Sequence, residues 1–301
     1  VFIHRVFDAT HRRGTVSANR FLTEDVKLWA RGLGAKLIGI ASANKFEGAP
    51  EGFHPREILP NAKSVVVIAV PLLYGIIEKS HPFKPYETYI HPQTLKYGMP
   101  NREYAVQYVS LNAKLDRIVQ EIGYALEERG FYAFPVQASQ PNAGMGIEFD
   151  PGTKISPEER IQKYLRGAIS QRHAAVLAGL GEIGLNNLLM TPEYGPRVRI
   201  ASLITDAPLA PDEPFSGVLC KGKEDPKTCN LCIKCCPFHA IPESKETIAD
   251  PLKYNVLNKF RCREESGKAL KLVLGNWVHA ICGICIKVCP IGKKLPRISE
   301  S

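Results

Sequence analysis

The residues in this chain best suited to chemistry are its nine cysteines, all of which fall in the final third of 301 residues. Two blocks stand out: Cys229-Asn-Leu-Cys232-Ile-Lys-Cys235-Cys236-Pro237 and Cys282-Gly-Ile-Cys285-Ile-Lys-Val-Cys289-Pro290. Superposed, they read Cys-x-x-Cys-Ile-Lys-x-Cys-Pro twice, 53 residues apart (282 minus 229). Thiolates at this spacing hold an iron–sulfur cube, and the trailing Cys before Pro reaches the neighbouring cluster. Each block offers three of the four thiolates that a [4Fe-4S] cluster needs, and Cys220 and Cys262, upstream of the blocks, offer the fourth.

Superposition sets Cys235 opposite Val288, so Cys235 is left over. Crossing the trailing cysteines gives Cys220, Cys229, Cys232 and Cys289 for one cluster. The other then takes Cys236, Cys262, Cys282 and Cys285. A rival arrangement uses Cys229, Cys232 and Cys235 as an unbroken run and leaves Cys220 spare. Zinc is the alternative metal, although zinc sites seldom repeat the trailing Cys-Pro. A disulfide framework fits less well, because these cysteines crowd one end of a long chain.

The elements that must position these thiols read as alternating helices and strands. Thr23 or Asn19 can cap a helix through Val26, Leu28, Trp29 and Leu33 that ends at Gly34. Strands are expected at Lys36–Ala41 and Ser64–Val70, with a helical turn at Pro55–Leu59 between them. Residues 74–101, rich in Tyr, His and Pro, read as a long loop. The longest helix is expected over Arg102–Arg129, with the apolar stripe Tyr104, Tyr108, Leu111, Leu115, Ile118, Ile122 and Ala125. A strand follows Phe131, a loop covers 144–156, a helix opens at Pro157, and Val198–Thr205 is a further strand. This order predicts an α/β or α+β core over 21–210, preceded by an arm over 1–20. A ferredoxin-like domain with two clusters over 211–301 follows the proline-spaced segment Asp206–Pro214.

The chain is long enough to bury a sizeable core. Its formal charge of +9 suits an acidic electron donor or RNA. No run of about 20 apolar residues is present to span a membrane. Arg12-Arg13 is followed by a polar stretch rather than an apolar one, so it reads as part of a surface arm. Cluster thiolates point to a reducing, cytoplasmic setting, as in an anaerobe.

Gly179-Leu-Gly181-Glu-Ile-Gly184 satisfies Gly-x-Gly-x-x-Gly, with Asp206 further on. A dinucleotide site needs a strand before the glycines and a full helix after them. Arg172–Ala178 reads equally well as helix, and Thr191-Pro192 halts any helix after Gly184. The glycines are better read as allowing close approach to some other flat ligand.

The stretches Arg172–Gly184, Leu188–Arg199 and Thr205–Leu209 resemble the cobalamin-binding core of corrinoid reductases, namely the reductive dehalogenases and epoxyqueuosine reductases. Cys220, the two blocks and Cys262 follow in the family's order. The resemblance is dense over about 165–290 and diffuse but collinear from about 21. It implies a nitroreductase-like core holding base-off cobalamin beside a ferredoxin-like domain with two [4Fe-4S] clusters. Electrons would pass from a low-potential donor, a ferredoxin or flavodoxin, through both clusters to cobalt.

The chain departs from that family in four ways. It lacks a visible export signal and the tRNA-binding repeats of epoxyqueuosine reductases, which argues against tRNA as a partner. It has no acid near Ala133–Ser139, where those enzymes carry a proton-donating Asp. It also inserts Lys221–Thr228 between Cys220 and Cys229.

By collinearity with the dehalogenases, Tyr104, or Tyr108 in its place, is the candidate proton donor, and His173 is a third candidate. The residues expected at the corrin are Arg172, His173, Gly179, Gly181, Glu182, Gly184, Asn186, Tyr194 and Arg197, with Arg197 and Arg199 making one strand face basic. Two functions remain open: a reductase cleaving a carbon–halogen or carbon–oxygen bond of a small molecule, and a non-catalytic electron carrier or corrinoid-handling protein. A two-cluster protein without corrinoid is a third reading, and a homodimer is compatible with all three.

Overall fold

A computed structural model describes residues 15–78, 102–138, 156, 159, 167–225, 227–243, 257–262 and 282–294. Helix α1 (Thr15–Gly32) opens the described chain. It presents Leu22, Val26, Trp29 and Ala30 to the core at helical spacing. It stops at Gly34, whose φ of +101° suits a residue without a Cβ. The helix already runs at residue 15, so Asn19 and Thr23 lie inside it and are not caps. Thr23 instead donates its hydroxyl to the Asn19 carbonyl at 2.6 Å and accepts the Ala210 amide at 2.8 Å. A threonine placed between these two partners resembles a cap in sequence and is in fact a tertiary anchor.

Strand β1 (Leu37–Ser42) follows, then a short turn of helix, α2 (Pro55–Ile58), then β2 (Ser64–Pro71) and α3 (Tyr74–Glu78). Helix α4 (Arg102–Glu127) covers 26 residues and ends at Gly130 with φ +80°. Next come β3 (Ala133–Val136), α5 (Gln171–Leu177), β4 (Glu182–Ile183), β5 (Leu189–Met190) and β6 (Val198–Thr205). Three one-turn helices complete the described elements: α6 (Lys221–Glu224), α7 (Leu231–Lys234) and α8 (Ile284–Lys287). The expected loop at 144–156 falls almost wholly outside the described residues, as does most of the helix expected after Pro157.

The four-stranded sheet has the order β1-β2-β6-β3, and every neighbouring pair is antiparallel. This makes the core α+β. Period-two alternation divides β2 between two layers. Val66, Ile68 and Val70 pack with α1 and α4, while Val65, Val67 and Ala69 pack with α5 on the other face. β3 lies at the sheet edge, where the missing amide of Pro135 costs no central ladder bond.

The segment Asp206–Pro214 is pinned to the core and does not hang free. Asp212 accepts the Ile40 amide at 2.8 Å and the Lys27 ammonium at 2.5 Å, and Leu209 is buried. A third apolar cluster joins Leu72, Ile77 and Tyr104 of the core to Cys235, Ile284 and Ile286 of the cysteine blocks.

Candidate iron–sulfur centres

Cys220, Cys229, Cys232 and Cys289 line one cavity together with Leu185, Asn186, Met190, Leu231 and Pro290. The β4–β5 hairpin forms one wall, since Leu185 and Asn186 come from its turn and Met190 from its return strand. Cys220 sits just before α6, Cys232 lies within α7, and Cys289 follows α8. The Cys220 sulfur accepts the Leu185 amide at 3.4 Å.

Glu182, 4% exposed, fixes the approach of this loop. Its carboxylate accepts the amides of Leu219 and Cys220, each at 2.6 Å, and its second oxygen lies 3.9 Å from the buried Lys223 ammonium. Lys223 belongs to the insertion after Cys220, so that insertion folds inward as α6. A Cβ on Gly222 would meet the Cys229 carbonyl at 2.0 Å, which leaves glycine as the residue that lets α6 close on the block.

Burial pushes the Cys232 thiol up to about 12, with Cys220, Cys289 and Cys229 adding to the rise. Cys289 rises to about 11, from burial first, while the Arg197 guanidinium pulls the other way. Thiols gathered this way hold their protons unless a cation replaces them, which is the chemistry iron supplies.

The second group is Cys236, Cys262, Cys282 and Cys285. Burial, then Cys262 and Cys236, lift Cys282 to about 12. Cys285 is raised well above its ordinary value, by burial first and then by Cys262, Cys282, Cys232 and Cys236. Cys262 is exposed as a residue, yet its thiol rises to about 11 through desolvation and then Cys236. Cys282 and Cys285 pack against the apolar cluster of Leu72, Ile77 and Tyr104. Cys289 of the second block thus stands with the first group, and Cys236 of the first block with the second. Cys235 is buried in the apolar cluster and does not line the cavity. Among the described residues no three His, Cys, Asp or Glu side chains converge as one metal ion requires. The first four thiols line one cavity instead.

Several residues expected at a corrin are turned toward the protein itself. Arg197 is wholly buried and precedes β6. It pairs with Glu78 at 2.6 Å and donates to the carbonyls of Ile291 at 2.7 Å and Cys289 at 2.9 Å. Arg199 lies over the Tyr108 ring at 3.7 Å and donates to Asn112 at 3.0 Å. The two arginines therefore do not form an outward basic strand face.

Glu182 holds the Cys220 loop, and Asn186 accepts the Leu188 amide at 3.2 Å. A Cβ on Gly179 would meet the Glu213 carbonyl at 2.2 Å, and one on Gly181 the Met190 carbonyl at 1.9 Å. What these two glycines approach is the chain's own backbone. A Cβ on Gly184 would meet the Met190 side chain at 2.8 Å. The helix α5 stands before them and a hairpin after them, which is not the strand–glycine–helix order of a dinucleotide site.

Arg172 donates to the Asn187 carbonyl at 2.6 Å, and the ring Nδ1 of His173 lies 2.6 Å from the Ser170 hydroxyl. Arg172, His173 and Tyr194 are all half-buried. Tyr104 is 1% exposed, and burial holds its phenol well above its ordinary value. Tyr108 is half-buried and meets Tyr104 edge-on at 6.5 Å.

Sequence reasoning missed Glu182 and Lys223 as braces of the first group and Arg197 as a strut to Cys289. Lys223 was signalled only by its place in the insertion, and the partners of Arg197 lie about 90 and 119 residues away.

A 4Fe-4S double cluster binding domain model matches residues 225–292. The chain is 36% identical over 122 residues to the tetrachloroethene reductive dehalogenase of Sulfurospirillum multivorans, which covers 40% of this chain and 23% of that protein. It is 34% identical over 139 residues to the epoxyqueuosine reductase of Listeria monocytogenes, 46% of this chain and 34% of that one. The matched stretches span between 12% and 36% of the curated relatives' own length.

Among solved structures, a catabolic reductive dehalogenase superposes with a TM-score of 0.63 at 18% identity, over 95% of this chain and 34% of that one. The epoxyqueuosine reductase of Streptococcus thermophilus gives 0.53 at 20% identity, over 91% and 68%. These structures share the fold. The chain thus carries a 4Fe-4S double cluster binding domain, is similar in part of its sequence to reductive dehalogenases and epoxyqueuosine reductases, and shares their fold.

Proposed function

We propose that this chain is a corrinoid-dependent reductase that carries electrons through two [4Fe-4S] clusters to base-off cobalamin, for reductive cleavage of a small substrate. The observation that carries the cluster half is the single cavity lined by Cys220, Cys229, Cys232 and Cys289. The chemistry of that donor set fits a cubane. Cys236, Cys262, Cys282 and Cys285 are the proposed ligands of the second.

The corrin half is supported by the fold shared with a reductive dehalogenase structure concerned with B12-dependent dehalogenation. Of the residues expected to hold cobalamin, Arg172, His173 and Tyr194 fit best, because each remains partly exposed. Bound cobalamin would supply a strongly reducing, nucleophilic cobalt.

The chain's own residues would manage the proton. Arg199 over its ring keeps Tyr108 in one orientation, and Asn112 holds Arg199 in place. Tyr108 is therefore the proposed donor to a substrate. Tyr104, sealed and strongly protonated, stands behind it. A low-potential one-electron donor, a ferredoxin or flavodoxin, is the proposed partner. Among the described residues no helix is long and apolar enough to cross a membrane.

A second reading, an iron–sulfur carrier that reduces or hands over a corrinoid, is favoured by the burial of Tyr104, which closes one candidate donor off from substrate. Anaerobic reconstitution with iron, sulfide and hydroxocobalamin, followed by metal analysis and an absorption spectrum, separates the readings. About eight iron and one cobalt per chain, with base-off absorption and turnover of an organohalide or epoxide, supports the reductase. The same metals without turnover supports the carrier, and iron without cobalt removes the corrinoid from both.

A further inference from the structure

We infer that Arg197 sets the reduction potential of the cluster held by Cys220, Cys229, Cys232 and Cys289, holding it above the value those thiolates alone would give. The inference rests on the ligation proposed above. The guanidinium is 0% exposed, and two of its nitrogens reach the turn that carries Cys289. Nη2 donates to the Cys289 carbonyl at 2.9 Å, and Nη1 to the Ile291 carbonyl at 2.7 Å. Arginine does not give up its proton in a protein, so this is a permanent positive charge.

The step concerned is a one-electron reduction. The oxidised cluster gains an electron from a low-potential one-electron donor and becomes more negative by one unit, with no bond formed or broken and no proton moved. A buried cation stabilises the more negative state and raises the potential. Glu78 opposes this, since its carboxylate lies 2.6 Å from Nη2. Its side chain is 11% exposed, however, so solvent damps its field more than that of the sealed guanidinium.

Cys282 and Cys285 of the other group pack instead against Leu72, Ile77 and Tyr104. The same substitution should therefore move one cluster and leave the other. Arg197 acts through the cluster and is a positioning residue.

The test is a dithionite titration of reconstituted full chain followed by electron paramagnetic resonance, with Cys232→Ser identifying the first cluster's signal. In Arg197→Gln the oxidised-to-reduced ratio of the first cluster at a fixed potential should rise tenfold or more, which is a downward shift of about 59 mV for a one-electron couple. Arg197→Lys, which keeps the charge, should titrate with the parent, and Glu78→Gln should shift the first cluster upward. The second cluster should stay in place in both Arg197 variants. The inference is overturned if both clusters shift together, if neither shifts, or if Arg197→Lys behaves as Arg197→Gln. Should Arg197→Gln fail to load iron, the opposed pair Glu78→Gln and Arg197→Lys decides the matter alone. Iron analysis of the parent comes first: a chain that binds only one cluster refutes the ligation itself, separately from the role of Arg197.

Discussion

The first cysteine group lines a largely apolar cavity whose backbone is braced by charged side chains, whereas the second, among the described residues, packs against an apolar cluster. Glu182, Lys223 and Arg197 brace Cys220 and Cys289, whereas Leu72, Ile77 and Tyr104 pack against Cys282 and Cys285. The two blocks are nearly the same in sequence, so the difference comes from what the core presents to each. The first group meets the hairpin of β4 and β5, and the second meets α3 and the start of α4. Under the proposed ligation, a repeated motif serves twice while the host fold braces each group differently.

Truncating the apolar seat should have the largest effect. Ile77→Ala removes a fully buried side chain and is expected to cost about 2–5 kcal/mol of stability. It should loosen the second cluster's iron before the first's, as read by thermal melting alongside iron release to a chelator. Equal release from both groups would break the contrast.

Glu182→Gln comes next. It takes the negative charge from a buried acceptor of two amides that also faces the Lys223 ammonium, at about 1–3 kcal/mol. Here the first cluster should be the one to lose iron.

The smallest effect is a control remote from both groups. Glu57 caps α2, and the amides of Gly52 and His54 hold its carboxyl below the ordinary 4.5. Its contribution is present above that value and is lost as pH falls through the depressed one. Glu57→Gln should flatten that acid limb of a melting curve while leaving the iron content of both clusters unchanged.

Local pattern made much of this architecture readable. Val198–Thr205 is a strand over the residues expected, and the stripe of α4 from Leu115 to Ala125 is buried as its spacing requires. Superposing the two repeats proposed the crossed grouping, and the structure brings Cys220, Cys229, Cys232 and Cys289 to one cavity.

The remainder depended on partners distant in the chain. Thr23 resembled a cap because nothing nearby reveals that Ala210 donates to it. Arg197 and Arg199 were expected to make one strand face basic, yet one precedes the strand and is wholly buried while the other stacks on Tyr108. The glycines of 179–184 suggested a ligand where two of them make room for the chain's own carbonyls. Alternation and helical period describe one element at a time, and polar contacts across 90 residues leave no trace in either.

Which cysteine completes the first cluster is the most direct test of the proposed grouping. Iron analysis of anaerobically reconstituted Cys220→Ser and Cys235→Ser beside the parent decides it. The grouping described here predicts about eight iron in the parent and in Cys235→Ser, and about four in Cys220→Ser. Full iron in Cys220→Ser with half lost in Cys235→Ser would contradict it and place the first cluster on the unbroken run of Cys229, Cys232 and Cys235.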